Sequence, residues 1–289
     1  MAAELGPNRY GKAGVHLATV ARRGDHHDFF ERVVEARLEG DFEPVHLEGD
    51  NSRVLPTDTM RGSVYALAKG HLDEEIEPFA LRYTGYLLEA SPAATTAEAW
   101  VSERPWERVL IDGRPHPHTF TRGAFRRTAR VVRTRDGVSL WAGLDEFYVL
   151  KTTGSAFSGF LRDRFTTLPE TDDRVMATKL DAAWLYGLTD LDYRRVRDRV
   201  KDVLVSTFAR HDESRSMQHT LWEMGRAAIE ACPEVEEIRF SLPNLHHVQV
   251  DLSPCGLENQ GEVFVVTDKP SGQIEGTVQR SRDGLDQPT

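Results

Sequence analysis

Cysteine, lysine and long apolar runs are all scarce in this chain of 289 residues. Its only thiols are Cys232 and Cys255. Two thiols outside any CxxC pair build neither a disulfide framework nor a cysteine-rich zinc site, and they suit a reducing compartment. No apolar stretch approaches the roughly 20 residues of a membrane-spanning helix, so no membrane partner is expected. The opening residues lack the charged and apolar regions of a signal peptide, and the last four, Asp286-Gln287-Pro288-Thr289, are not a peroxisomal Ser-Lys-Leu address. The cytoplasm is the expected location. Neither GxGxxG nor GxxxxGK[ST] occurs, which disfavours the common nicotinamide, flavin and nucleoside triphosphate sites. HExxH and GxSxG are missing as well. Positive charge is the minority sign: 36 Lys and Arg face 46 Asp and Glu, a net charge of −10. Binding through phosphate neutralisation is therefore disfavoured and no nucleic-acid partner is expected. Only Lys12, Lys69, Lys151, Lys179, Lys201 and Lys269 are lysines, so each is a rare choice among the basic residues.

What remains is enough chain for about two domains at roughly 150 residues each. A hydrophobic fraction of 39% supplies packed cores and excludes a disordered chain. One coarse pattern runs twice. Val15, Leu17 and Thr19 alternate with other residues, as do Val34, Ala36 and Leu38, so residues 9–48 read as two long strands around Arg23-Gly24-Asp25-His26-His27-Asp28. A helix is predicted from about Thr57, where Met60, Val64, Leu67 and Ala68 share a face. A second follows, with Pro78 in its first turn and Ile76, Ala80, Tyr83 and Leu87 on one side. Strands return after Pro92, around Ala97–Val101, Arg127–Thr134 and Val138–Leu150. In the second half, strand-like segments run to about Leu188. A helix is predicted from Thr189, where Asp192 makes a variant capping box, with Val196, Val200, Val203, Leu204 and Phe208 on its apolar face. Another covers about Ser214–Cys232, stopped by Pro233, with Met217, Leu221, Met224 and Ala228 together. Strands follow at Ile238–Leu242, Val263–Val266 and Gln273–Gln279. Each half reads β-β-α-α-β-β, an α+β class with helices covering one face of an antiparallel sheet. A second subunit can cover the other face where it is apolar. The halves are set at 9–140 and 141–280, with residues 1–8 and 281–289 as flexible ends.

Asp25-His26-His27-Asp28 and His116-Pro117-His118 carry metal-ligating side chains, but spacing marks no third ligand for either. Both read as surface loops, and no metal is expected. Four other segments are loaded with chemistry. Lys12, in Tyr10-Gly11-Lys12, reads on its own as an exposed strand-end lysine. Thr57 and Asp58, in Pro56-Thr57-Asp58-Thr59, read on their own as helix caps. Lys151-Thr152-Thr153-Gly154-Ser155-Ala156-Phe157, running on to Arg174, reads as a functional loop or as a linker. Asn244 and His246, at i and i+2 in Leu242-Pro243-Asn244-Leu245-His246, would share one face of a strand, where a lone histidine is ordinarily structural.

Taken together, these segments resemble the urate oxidase (uricase) family. Tyr10-Gly11-Lys12, Pro56-Thr57-Asp58-Thr59, Lys151 to Phe157, Gly159-Phe160-Leu161-Arg162-Asp163, Thr166-Thr167-Leu168, Asp173-Arg174 and Leu242 to His246 follow the family's order and spacing from about residue 9 to residue 280. The resemblance implies two tandem tunnelling-fold (T-fold) domains per chain. It implies a barrel closed by dimerisation, and a homotetramer with active sites at subunit interfaces, where Thr57 and Asp58 reach a neighbouring chain's site. It implies oxidation of urate by O2 and water to 5-hydroxyisourate and hydrogen peroxide, with no cofactor. By the same resemblance Lys12, Thr57 and His246 form a proton relay. Phe157 stacks under the purine, Arg174 and Gln218 hold opposite edges, and Leu168 lines the apolar wall. Thr57 and Asp58 touch the five-membered ring, the backbone N–H of Met217 favours an anion, and Asn244 holds O2 and then water above the ring. Pro169, Met217 and Leu245 depart from the family pattern, and residues 92–126 match it less well. Two alternatives stand beside this reading: another T-fold enzyme acting on a purine or pterin, or a non-catalytic purine-binding protein.

Overall fold

The structure, a computed structural model, describes residues 2–281. The expected tail from residue 281 therefore lies, beyond its first residue, outside the described residues. The chain divides into two compact units. The first holds residues up to Gly143 together with Thr189–Arg194, and the second holds Leu144–Leu188 and the chain from Arg195.

The first unit opens with β1 (Tyr10–Arg23) and β2 (His26–Gly40), joined through Gly24, whose φ of +68° suits glycine at a tight turn. A short α1 (Glu43–Leu47) precedes α2 (Thr57–Lys69) and α3 (Ile76–Ala90). Then come β3 (Ala94–Glu103), β4 (Trp106–Ile111), β5 (Arg114–Arg122), β6 (Arg126–Thr134) and β7 (Val138–Lys151), which runs on into the second unit. The sheet order here is β1-β2-β3-β6-β7, and β4 and β5 form a separate two-stranded ribbon. Alternation explains the packing. Val15 and Leu17 of β1, Val34, Ala36 and Leu38 of β2, and Ala97, Ala99 and Val101 of β3 are buried. So are Met60, Val64 and Ala68 of α2 and Ile76, Phe79, Ala80, Tyr83 and Leu87 of α3. Each large aliphatic side chain removed from water in this way stabilises by about 1.5–3 kcal/mol. Trp100, between these buried positions of β3, lies under the guanidinium groups of Arg37 and Arg130, 4.6 and 5.4 Å from its ring.

The second unit continues with β8 (Met176–Tyr186), α4 (Tyr193–Arg210), α5 (Met217–Ala231), β9 (Val235–Pro243), β10 (His246–Gln249), β11 (Phe264–Thr267) and β12 (Gln273–Gln279). Its sheet order is β7-β8-β9-β12, with β10 and β11 as a second small ribbon. Leu180, Ala182 and Trp184 of β8 and Ile238, Phe240 and Leu242 of β9 are buried, as are Val196, Val200 and Leu204 of α4 and Leu221, Met224 and Ala228 of α5. A Cβ at Gly225 would lie 2.4 Å from Val278, so glycine lets α5 sit close on β12. Omitting the two ribbons and α1, the order is β-β-α-α-β-β twice, with antiparallel pairing, as the T-fold requires. No helix among the described residues is long and apolar enough to cross a membrane.

Three local expectations are corrected. His116 and His118 lie in strand β5 and not in a loop, and His26 to Asp28 open strand β2. The fourth helix starts at Tyr193, four residues after the expected Thr189, because the Tyr193 hydroxyl bonds back to the Thr189 carbonyl and the Thr189–Asp192 stretch stays outside the helix. The fifth starts at Met217, since Ser216 takes the capping role by accepting from the His219 N–H at 3.1 Å.

The first unit also buries an ion network. Glu103, 4% exposed, accepts from Arg32 Nε at 2.8 Å and from Arg127, which also bonds Glu75 at 2.8 Å. Removing Glu103 leaves two buried guanidinium groups short of their counter-charge. Glu103→Ala should cost about 3–5 kcal/mol of stability, read as a lower midpoint in denaturant unfolding. An unchanged midpoint would contradict the network's role.

Candidate active site

In the first unit, Lys12 and Thr57 are approached by one anchoring side chain. The hydroxyl of Tyr10 accepts from the Leu55 N–H at 3.0 Å, and its ring meets Phe42 edge-on at 4.9 Å. Tyr10 stands two residues before Lys12, and Leu55 two before Thr57. Burial pushes the Tyr10 phenol up from its ordinary value. A Cβ at Gly11 would lie 1.9 Å from the Ala36 carbonyl oxygen, so only glycine lets β1 pair with β2 here. The register then shifts between Lys12 and Val15, with Gly14 at a φ of +65°. A bulge of this kind re-aims a side chain, and Lys12 is half-buried just ahead of it. Thr57 does not cap α2. The cap position is Pro56, which offers no side-chain acceptor, so Thr57 is the first helical residue and is exposed. Asp58 is also exposed and pairs with Arg61 at 2.7 Å.

In the second unit, the segment after β7 is held by main-chain bonds from two sides. Ala156 N–H donates to the Ser214 carbonyl at 2.7 Å, and Ser214 N–H to the Gly154 carbonyl at 3.3 Å. Phe157 and Thr171 exchange both of their main-chain bonds, at 2.8 and 3.0 Å. Gly154 takes a φ of +75°, and a Cβ there would press on the Asp212 backbone at 3.0 Å. Asp173 ties the loop from below: Thr153 Oγ1 donates to it at 2.6 Å and the Ser155 N–H at 3.3 Å. The Thr153 hydroxyl first, and the N–H donors after it, hold the Asp173 carboxyl below its usual range.

This frame sets Phe157 against two neighbours. Phe160 stacks on it at 5.0 Å and 18°, and the Arg174 guanidinium lies 5.1 Å from its centroid. Burial lowers the Arg174 pKa from its ordinary value, and its Nε is buried with no partner among the described residues. Met217 and Gln218 open α5, so their N–H groups have no acceptor in the helix and carry the positive end of its dipole. Met217 is buried and Gln218 is exposed. Leu168 is exposed as well, in the irregular stretch before Thr171.

Asn244 and His246 are not neighbours on one strand face. β9 ends at Pro243, Asn244 makes an isolated bridge to Thr178, and β10 starts at His246 in its own ribbon, opposite Thr267. Asn244 is pinned by its N–H to the Gly272 carbonyl at 2.9 Å, and its amide would lie 3.2 Å from a Cβ at Gly272. The two side chains therefore share a place in the chain through a break in the sheet, and the i, i+2 alternation does not apply.

The sequence model of the Uricase family matches residues 8–132 and 141–275. The chain is 40% identical over 285 residues to the uricase of Arthrobacter globiformis, covering 98% of this chain and 92% of that one. It is 36% identical over 277 residues to the uricase of Danio rerio, covering 94% and 93%. The crystal structure of the Arthrobacter globiformis uricase superposes with a TM-score of 0.92 over 100% of this chain and 99% of that one. The chain belongs to the uricase family.

Sequence reasoning gave this uricase-family chain no role for Phe160 or Asp173, although both stand inside the matching motifs. Their signal was present: an aromatic three residues from Phe157, and an acid directly before Arg174. The histidine-bearing segments group around Arg108, which donates to the His116 and Pro117 carbonyls at 3.2 and 2.8 Å and to Asp28 at 2.5 Å. Among the described residues, no group of three or more His, Cys, Asp or Glu is placed to hold a metal ion.

Because Asp173 anchors the Phe157 segment, Asp173→Ala, which removes both acceptor oxygens, should free the Ser155 N–H. A hydrogen bond to a charged group contributes about 1.5–3 kcal/mol, so exchange of the Ser155 amide should speed up roughly tenfold or more. The depressed carboxyl also makes the anchor present above the ordinary carboxylate range and lost as pH falls through the lowered value, so acidification should mimic the substitution in wild type. Equal exchange in both proteins would contradict the anchor.

Proposed function

We propose that this chain oxidises urate with O2 and water to 5-hydroxyisourate and hydrogen peroxide, drawing on no cofactor. The observation that carries the reading is the Phe157–Arg174 pair beside the donor end of α5, in a chain alike to uricases over nearly its whole length. A flat, anionic purine fits those groups. Phe157 offers a ring face, and offset stacking adds about 0.5–1.5 kcal/mol beyond burial. Arg174 offers a planar fork suited to two acceptors on one edge of the anion. Gln218 offers a donor and an acceptor for the opposite edge, and the Met217 N–H adds a positive dipole. Leu168 is assigned to the apolar wall.

In the proposed chemistry, urate gives two electrons to O2, water supplies the hydroxyl that appears on the ring, and two protons go to the peroxide. Deprotonated urate is electron-rich enough for the first step. The protein stabilises the anion and keeps bulk water out. Lys12 and Thr57 are assigned to proton transfer, with His246 completing the relay. A lysine amine that takes up a proton, next to a hydroxyl that passes one on, can serve both the substrate and the attacking water. The shared anchor of Tyr10 on Leu55 supports a joint role for Lys12 and Thr57. Asn244, held through Gly272, is assigned to O2 and then water above the ring. Asp58 is assigned to contact with the five-membered ring.

The proposed assembly is a homotetramer of paired T-fold domains, 9–140 and 141–280, with Thr57 and Asp58 completing the site of a neighbouring chain. Support comes from each unit. Among the described residues, β1 and β12 are edge strands with no partner on their outer side, and unpaired edges are templates for another chain. Leu161, Phe165, Val248, Val265 and Val266 are exposed, which a subunit interface would relieve. The free thiols, Cys232 buried and Cys255 exposed, suit a reducing setting, and the cytoplasm is the proposed location. The likeness to uricases over nearly the full chain does not favour a different T-fold activity or a non-catalytic role.

Purified protein in aerated buffer with a chelator should remove urate's ultraviolet absorbance, take up O2 and release peroxide. Lys12→Met should cut kcat by about a hundredfold or more, the weight of a positioned proton-transfer group, while urate still binds. Urate left intact by wild type would overturn the reaction, and near-normal turnover by the variant would overturn the role of Lys12.

A further inference from the structure

A buried chain of hydroxyls runs beside the purine groups and takes part in none of the chemistry above. Thr220, on α5, is fully buried. Its Oγ1 lies 2.7 Å from Ser214 Oγ and 3.1 Å from His211 Nδ1. Ser214, also buried, donates from Oγ to the Ser216 carbonyl at 3.1 Å. A hydroxyl donates only one hydrogen bond. The order that satisfies all three contacts runs from His211 Nδ1–H to Thr220, from Thr220 to Ser214, and from Ser214 to the Ser216 carbonyl. It requires a proton on His211 Nδ1, which one tautomer of the neutral ring supplies. Burial, and after it the neighbouring His219 and Lys151, hold the His211 pKa below its usual value, which favours that neutral form.

The ends of this chain meet the two arms that grip the purine. Ser214 is the residue whose carbonyl and N–H pin Ala156 and Gly154, next to Phe157. Ser216 is the cap of α5, whose first turn carries Gln218, and Thr220 N–H donates to the Ser216 carbonyl at 3.1 Å. We propose that Thr220 is a positioning residue: through Ser214 on one side and His211 on the other, its hydroxyl sets the spacing between the Phe157 segment and the Gln218 helix end. The inference rests on the assignment of Phe157 and Gln218 to urate. Thr220 itself touches no substrate. A spacing error of about an ångström between groups that hold a reactant can cost up to about a hundredfold in rate, so one hydroxyl in this place has leverage beyond its own bond energy.

The test compares Thr220→Val, which keeps the shape and removes the hydroxyl, with Thr220→Ser, which keeps the hydroxyl. Ser214→Ala cuts the same chain from its other end and stands in should Thr220→Val not fold. The expected result is a kcat/KM for urate lowered roughly ten- to hundredfold in Thr220→Val, most of it in KM, with Thr220→Ser at the wild-type value. Amide exchange over Gly154–Phe157, measured by mass spectrometry without urate, should be faster in Thr220→Val and Ser214→Ala and unchanged in Thr220→Ser. Equal loss in the valine and serine variants, or wild-type kinetics and exchange in Thr220→Val, would overturn the proposal. A wild type that does not oxidise urate would overturn the assigned reaction instead, and the network would then stand or fall on the exchange measurement alone.

Discussion

The second unit is organised around one aromatic face and one guanidinium. Phe157 carries Phe160 stacked at 5.0 Å and Arg174 at 5.1 Å from its centroid, and main-chain bonds to Thr171 and the Ser214 bridge leave this group little freedom. A desolvated cation whose buried Nε has no partner among the described residues favours an anion beside it, and a ring face favours a flat one. The proposed oxidation requires this. A reaction without a cofactor must draw its reactivity from the substrate, so the protein's task is to hold an electron-rich anion still and dry.

The loop that carries these residues is costly to order, and the sequence spends specific residues on it. Gly154 takes a left-handed φ that a side chain would resist. Asp173 gathers the Thr153 hydroxyl and the Ser155 N–H, and Ser214 gathers Gly154 and Ala156. The same economy holds in the first unit, where Gly11 permits close pairing and Tyr10 links the start of β1 to the approach of α2. In both units, short polar contacts set the spacing of the assigned residues.

Much of the architecture was legible because binary patterning is strong where one face is buried. Gln273–Gln279 alternates around Ile274 and Val278, and the strand occupies those bounds. The start of α2 at Thr57 was legible for a similar reason. The β4–β5 ribbon was not, since it is held by isolated contacts, Trp106 and Phe120 against Phe29 and the Arg108 side chain to backbone carbonyls, which no periodicity encodes. The Thr189–Asp192 stretch imitates a capping box, yet the helix begins later because Tyr193 bonds back to Thr189. The break after Pro243 was hidden by residues that suit a strand on either side of it. The assigned site residues stood out in the sequence only as short motifs resembling a family. Their anchors, Asp173, Ser214 and Thr220, are ordinary polar residues whose meaning appears only when distant segments meet.

The most direct test of the central claim is calorimetric titration of urate under nitrogen, where binding is separated from oxidation. The account predicts saturable binding at one urate per chain, weakened at least about tenfold, or roughly 1.4 kcal/mol, by Arg174→Gln. Equal affinity in wild type and variant, or no saturable binding in wild type, would contradict it.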